Sequence, residues 1–182
     1  MSEELRRLPG DPPREELIAR MIRVDHAGEY GAKRIYDGQL AVLGRAKPAA
    51  EIRRMAEQEQ RHLAAFEKLV AERRVRPTAL SPLWHAAGFA LGAATALLGT
   101  RAAMACTVAV EEVIDEHYRR QSAALGDAEP ALKAVIEEFR RDELEHRDIA
   151  LAHGAEDAPA YPALSAAIKT ASRLAIWLST RI

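Results

Sequence analysis

The chain carries a single cysteine, Cys106, in 182 residues. An intrachain disulfide, a zinc ribbon and a four-thiolate iron site are therefore excluded. Cys106 lies among small apolar residues, where a core position is expected. Aromatic residues make up only 5%, and the apolar/polar alternation of strands is absent. With Leu, Ala and charged residues dominant, the composition points to an all-helical fold. Charge of one sign is lacking too. A formal net charge of −1 offers no basic field, and no nucleic-acid partner is expected. The acidic Glu3 and Glu4 are followed by no apolar run, so no signal or transit peptide is read there. The length suits one domain with a real core.

Residues 1–10 are expected to form a flexible arm, and 11–182 one helical domain. Asp11-Pro12-Pro13 reads as a helix start with Asp11 as N-cap, and Gly44 follows Leu43 as a stop. Pro48 opens a second helix that ends near Arg74. The short connection makes these two antiparallel neighbours. Residues 77–100 then carry no formal charge. Leu83 to Leu98 is almost wholly apolar but barely long enough to span a bilayer. A re-entrant or interfacial segment is expected there, with a buried crossover as the alternative. A third helix is expected from Ala102 to Leu125, and a fourth from Pro130 to His153-Gly154, with His153 as a cap. Residues 159–182 hold a last amphipathic helix with Lys169, Arg173, Arg181 and Trp177, a pattern suited to an anionic membrane surface.

The apolar stripes of four of these helices are interrupted by ionisable residues. Leu132, Ile136 and Phe139 recur at helical spacing, and the same rhythm continues to Glu143 and His146. Ile52 and Met55 lead likewise to Glu59 and His62. Ile18 and Ile22 lead to Asp25 and Glu29, then Tyr36. Met104 and Val108 lead to Glu111, then Ile114 and Tyr118. A carboxylate or imidazole buried alone is costly. A shared metal removes that cost, and Glu-x-x-His puts two ligands on one side of it. The chain repeats the pattern: Glu29 precedes Glu59-x-x-His62 by one hairpin, and Glu111 precedes Glu143-x-x-His146 by another. That is the ligand set of ferritin-like di-iron and di-manganese carboxylate bundles. The expected fold is thus a ferritin-like four-helix bundle with an apolar crossover at 77–100 and an additional C-terminal helix. Four carboxylates balance two dications. The donors are too oxygen-rich for structural zinc; two redox-active iron ions fit, with manganese as second choice, and ligand type alone does not decide between them. Gly28 and Gly31 flank Glu29 and suggest either close approach of a neighbour or a kink.

Three stretches carry a more specific resemblance: Asp25-His26-Ala27-Gly28-Glu29-Tyr30-Gly31-Ala32, Ala105 through Glu112, and Glu143 through Ile149. With Trp84 through Gly92, they resemble the signature segments of the demethoxyubiquinone hydroxylase family. The resemblance runs from about residue 15 to the end. It implies an O2-dependent di-iron monooxygenase that hydroxylates the ring of a 2-polyprenyl-3-methyl-6-methoxy-benzoquinol in ubiquinone biosynthesis. It also implies peripheral attachment to a membrane that holds the polyprenyl substrate. The cytoplasmic face of a bacterial inner membrane is expected, since no mitochondrial presequence is read. An accessory protein that presents the lipid is a further expected partner.

The expected metal ligands are Glu29, Glu59, His62, Glu111, Glu143 and His146. Asp25 is expected to accept a hydrogen bond from a ligand histidine. Tyr118 and His117 are assigned to ring positioning or proton-coupled electron delivery, with core packing as the alternative for Tyr118. No glycine-rich dinucleotide fingerprint occurs, so electrons come from a partner, from diffusing NADH or from the quinol. Two other readings stay open: a metal store or ferroxidase on the same fold, and a non-catalytic helical scaffold at a membrane surface.

Overall fold

The computed structural model describes residues 12–182; the expected arm at 1–10 and the expected N-cap Asp11 lie outside the described residues, and the first helix has Pro13 at its N-cap instead. The described chain forms six α-helices and one 3-10 turn: α1 Arg14–Leu43, α2 Ala49–Glu72, α3 Ser81–Leu97, α4 Thr100–Leu125, α5 Pro130–Ala152, the turn Ala155–Asp157 and α6 Tyr161–Ser179. Prolines sit in the first turn of α3, α5 and α6, where a missing N–H costs nothing. Glycines mark the joints. Gly99 before α4 (φ 106°) and Gly126 after it (φ 56°) adopt backbone conformations that a side chain resists. His153 caps α5 as expected, its Nδ1–H donating to the Ile149 carbonyl at 2.9 Å.

The contacts fix the topology. Tyr36 on α1 meets Met55 on α2, and Asp115 on α4 pairs with Arg140 on α5. These are two antiparallel hairpins. The hairpins face each other antiparallel too, α1 on α4 through Tyr36–Glu111 and Gln39–Ala103, and α2 on α5 through Arg54–Glu145. Helix α3 is the crossover that carries the chain from one hairpin to the other. It is one continuous helix laid parallel along α1, with Gly88 over the Gly31 carbonyl and Gly92 over Ile35. Its outer face is not buried: Leu83, Leu97 and Leu98 are exposed. Helix α6 runs along α4 through Lys169–Glu112 and Arg173–Glu116, and leaves Leu174 and Trp177 exposed. Trp84 Nε1–H donates to Ser179 Oγ at 2.9 Å and ties α3 to α6. Among the described residues, no helix is long and apolar enough to cross a membrane.

Of the close approach expected at Gly28 and Gly31, α3 reaches the Gly31 carbonyl, over which Gly88 packs, while the Cβ directions of both glycines stay open. A side chain built on either would meet nothing within 4 Å, and both line an apolar cavity between α1, α3, α4 and α6. The tight seam is made by Gly38, Gly88 and Gly92, where a methyl group would strike the facing helix backbone. This gives a pair of opposite outcomes. Gly92→Ala forces two backbones apart, and overpacking of about 1–3 kcal/mol exceeds the helix-propensity gain of about 1 kcal/mol. Its melting temperature should fall, whereas that of Gly28→Ala should hold or rise. A Gly92→Ala protein as stable as the parent would contradict the seam.

Candidate metal centre

Two apolar clusters fill the bundle. One gathers Tyr36, Ile52, Met55, Met104 and Val108; the other gathers Ile18, Ile22, Phe66, Tyr118, Ile136 and Phe139. Between them the four stripes place a polar layer. Glu29, Glu59, His62, Glu111, Glu143 and His146 all lie in it, each buried to within 2% exposure. They fall into two groups of four: Glu29, Glu59, His62 and Glu143, and Glu59, Glu111, Glu143 and His146. Within each group the donor atoms lie within 4.8 Å of one another. Glu59 and Glu143 belong to both. The groups therefore have the same chemistry, three carboxylates and one imidazole.

Both histidines turn Nδ1 inward. His62 Nδ1 is 3.2 Å from Glu143 and 3.4 Å from Glu29. His146 Nδ1 is 3.1 Å from Glu143 and 3.2 Å from Glu59. The outer nitrogens are also held: His62 Nε2–H donates to Asp142 Oδ2 at 3.0 Å, and His146 Nε2–H donates to Gln58 Oε1 at 3.1 Å. Phe139 stacks on the His62 ring at 4.0 Å between centroids and fixes its plane. Two phenols complete the layer. Tyr118 on α4 donates to Glu29 on α1, and Tyr36 on α1 donates to Glu111 on α4 at 2.8 Å. Burial and the nearby carboxylates push both phenols well above the usual tyrosine range, so they act as neutral donors.

The layer is short of positive charge. Burial and the neighbouring carboxylates drive Glu59 and Glu111 well above the usual range. For His62, burial opposes the charged form, but the hydrogen bond to Glu143 and the adjacent Glu29 carboxylate prevail and hold it at about 12. His146 is raised in the same way by Glu143. Burial also pushes Glu143 up, yet the hydrogen bonds from both imidazoles bring it down to about 2. Hydrogen bonds are not enough for the rest. Glu29 Oε2, both oxygens of Glu59 and Glu111 Oε2 are buried without a hydrogen-bond partner. Orphaned carboxylate oxygens converging with imidazole nitrogens are what a pair of cations would satisfy. The group could hold two metal ions.

Asp25 departs from expectation. It does not meet a histidine of the cluster. Its Oδ1 accepts from His117 Nε2 at 3.1 Å and from Gln121 Nε2 at 2.8 Å. The reason is position: Asp25 lies one turn before Glu29, opposite the last turns of α4, while both cluster histidines stand on α2 and α5. His117 is partly exposed and serves Asp25 rather than the cluster. The supporting residues Tyr36, Gln58, Asp142 and Gln121 were not identified from the sequence. A signal existed for three of them. The repeat is longer than Glu plus Glu-x-x-His, since a tyrosine follows seven residues after Glu29 and after Glu111, and a polar residue immediately precedes Glu59 and Glu143.

Helical hairpins joined by a lengthwise crossover around such a layer define a ferritin-like helical bundle, one whose core could carry two metals. Within that class, the chain belongs to the family described as ubiquinone biosynthesis protein COQ7, which it matches over residues 16–179. It is 63% identical over 177 residues to a Rhodospirillum rubrum protein named 3-demethoxyubiquinol 3-hydroxylase, covering 97% of this chain and 84% of that one. Two mitochondrial proteins named NADPH-dependent 3-demethoxyubiquinone 3-hydroxylase are similar as well. The Dictyostelium discoideum protein is 54% identical (93% of this chain, 79% of the relative) and the human protein 54% (91% and 78%).

The protonation of the layer sets the sign of its pH dependence. Metal ligands must be deprotonated, so a metal bound in this layer would have to displace the protons that His62, His146, Glu59 and Glu111 hold. Apparent metal affinity should rise with pH, and cobalt(II) added to weakly buffered, metal-free protein should acidify the solution. Stoichiometric binding without proton release would contradict this account of the layer.

Proposed function

We propose that the chain hydroxylates the ring of a polyprenyl demethoxyubiquinol in ubiquinone biosynthesis, using O2, at a di-iron centre. The single observation that carries the reading is the buried layer of two four-residue groups sharing Glu59 and Glu143, in a chain 63% identical to a relative named for this hydroxylation. Glu29, Glu59, His62, Glu111, Glu143 and His146 are the ligands, with iron favoured over manganese. When bound, the iron pair supplies the reductive activation of O2. The balance is one oxygen atom to a ring carbon in place of hydrogen, and the other to water, with two electrons and two protons from a reductant. The names of the mitochondrial relatives point to NADPH as that reductant.

The chain's own residues do five things. The six side chains fix both metals in one dry layer. Tyr118 and Tyr36 orient the carboxylates of Glu29 and Glu111, so Tyr118 acts as a positioning residue. The apolar clusters on either side exclude bulk water. The apolar cavity of about 170 Å³ between α1, α3, α4 and α6, lined by Gly28, Gly31, Val110 and Ile114, offers a berth for the ring. His117, at the surface, hands off to Asp25 and is the candidate for proton entry on that side.

The substrate's tail places the work at a membrane. The outward faces of α3 and α6, with Leu83, Leu97, Leu98, Leu174 and Trp177, form the surface that would lie on it. On this reading the protein is peripheral, at the cytoplasmic face of a bacterial inner membrane, with an accessory protein presenting the lipid. Liposome flotation of Leu174→Ser/Trp177→Ser should show binding reduced several-fold; unchanged flotation removes this surface from the proposal.

The chemistry is tested isotopically. With labelled O2 and a short-tailed demethoxyquinol, the new hydroxyl should carry the label, and Glu143→Ala should abolish its formation. Label arriving from water sinks the monooxygenase reading. Iron oxidation and accumulation with no product would favour a ferroxidase or store, and a purified protein with no affinity for metal would favour a scaffold.

A further inference from the structure

The two four-residue groups match donor for donor, and their carboxylates are matched one layer out. Glu29 takes a hydrogen bond from Tyr118, and Glu111 takes one from Tyr36. The histidines are where the match breaks. Behind His62 stands the carboxylate of Asp142; behind His146 stands the neutral amide of Gln58. The swap is reciprocal, because each supporting residue precedes the glutamate of the other motif: Asp142 precedes Glu143 but serves His62, and Gln58 precedes Glu59 but serves His146. An anionic acceptor pulls harder on the outer N–H and makes the inner nitrogen a stronger donor. An amide carbonyl orients the ring and adds little charge.

We propose that Asp142 makes the two halves of the centre unequal, so that the metal held by Glu29 and His62 binds more tightly than the one held by Glu111 and His146. The inference rests on the reading of the layer as a dinuclear centre and goes beyond it, since that reading holds equally for two identical sites. Asp142 touches neither metal nor substrate in this scheme. It acts through His62 and is a positioning residue. Gln58 is its counterpart: buried, neutral and charge-silent. Asp142 is a third exposed, so replacing it does not open the core.

The test is equilibrium binding of cobalt(II) to the metal-free protein, read by its ligand-field absorption rather than by turnover. The wild type should fill in two resolved steps. Asp142→Asn keeps the shape and the acceptor oxygen but removes the charge, making the backing of His62 like that of His146. It should weaken the tighter step by about 10- to 100-fold, the scale typical for such supporting groups, and leave the looser one in place. The two steps should then merge. A wild type that binds two ions in indistinguishable steps overturns the inference alone, before any variant is made. So do unequal steps that Asp142→Asn leaves unchanged, or a variant that weakens only the looser step. Absence of any cobalt binding overturns the dinuclear centre and this inference with it.

Discussion

Four carboxylates share the middle of a helical core with two imidazoles, and everything around them answers to that charge. Each acid alone would be driven to its neutral form by burial. Set between two apolar clusters, they have no water to turn to, so the only relief is local: the imidazoles, the two phenols, and a cation. The phenols reach one oxygen each on Glu29 and Glu111. The imidazoles settle mainly on Glu143. Glu59 is left with neither oxygen hydrogen-bonded. The same scarcity explains why the outer nitrogens of both histidines are tied down. A ring free to turn would forfeit its inward contact, and the layer has no spare donor to replace it.

Helix α3 and helix α6 belong to a different constraint. They lie outside the bundle, one along each hairpin, and close nothing in the polar layer. The seam that fastens α3 to α1 is made of bare backbone at Gly38, Gly88 and Gly92, a packing that brings two helix axes close with no side chain between them. Just along α1, the Cβ directions of Gly28 and Gly31 leave room, although the Gly31 carbonyl itself lies under Gly88. The helix therefore alternates between contact and space within a few turns, and the space is lined by Gly28, the residue before Glu29.

Much of this was legible in the sequence, because helical periodicity is a strong signal when a stripe is long. The breaks in the stripes at Glu29, Glu59, His62, Glu111, Glu143 and His146 marked the layer, and prolines and glycines marked the joints. The crossover was legible as an uncharged segment, but not which part of it would be covered; that depends on glycines meeting a partner helix and not on their own helix. Asp25 lay on the stripe, yet its partner could not be read, since spacing along one helix says nothing about the rotation of another. Gln58 and Asp142 lie off the stripe, one residue before a buried glutamate. Periodicity assigns such positions to the flank. They matter because the facing helix runs antiparallel and brings a histidine to each.

The exchange of partners between halves has a consequence for how such a layer can arise. Tyr36 serves the glutamate of the second hairpin and Tyr118 that of the first, Gln58 serves the second hairpin's histidine and Asp142 the first's. No hairpin finishes its own work. This is the contact pattern of a two-fold dimer, in which residue i meets j and j meets i, written into one chain. A lone ancestral hairpin could have built the layer only by meeting its own copy. In this chain the two hairpins differ at the corresponding positions Gln58 and Asp142, a difference that two identical copies could not carry.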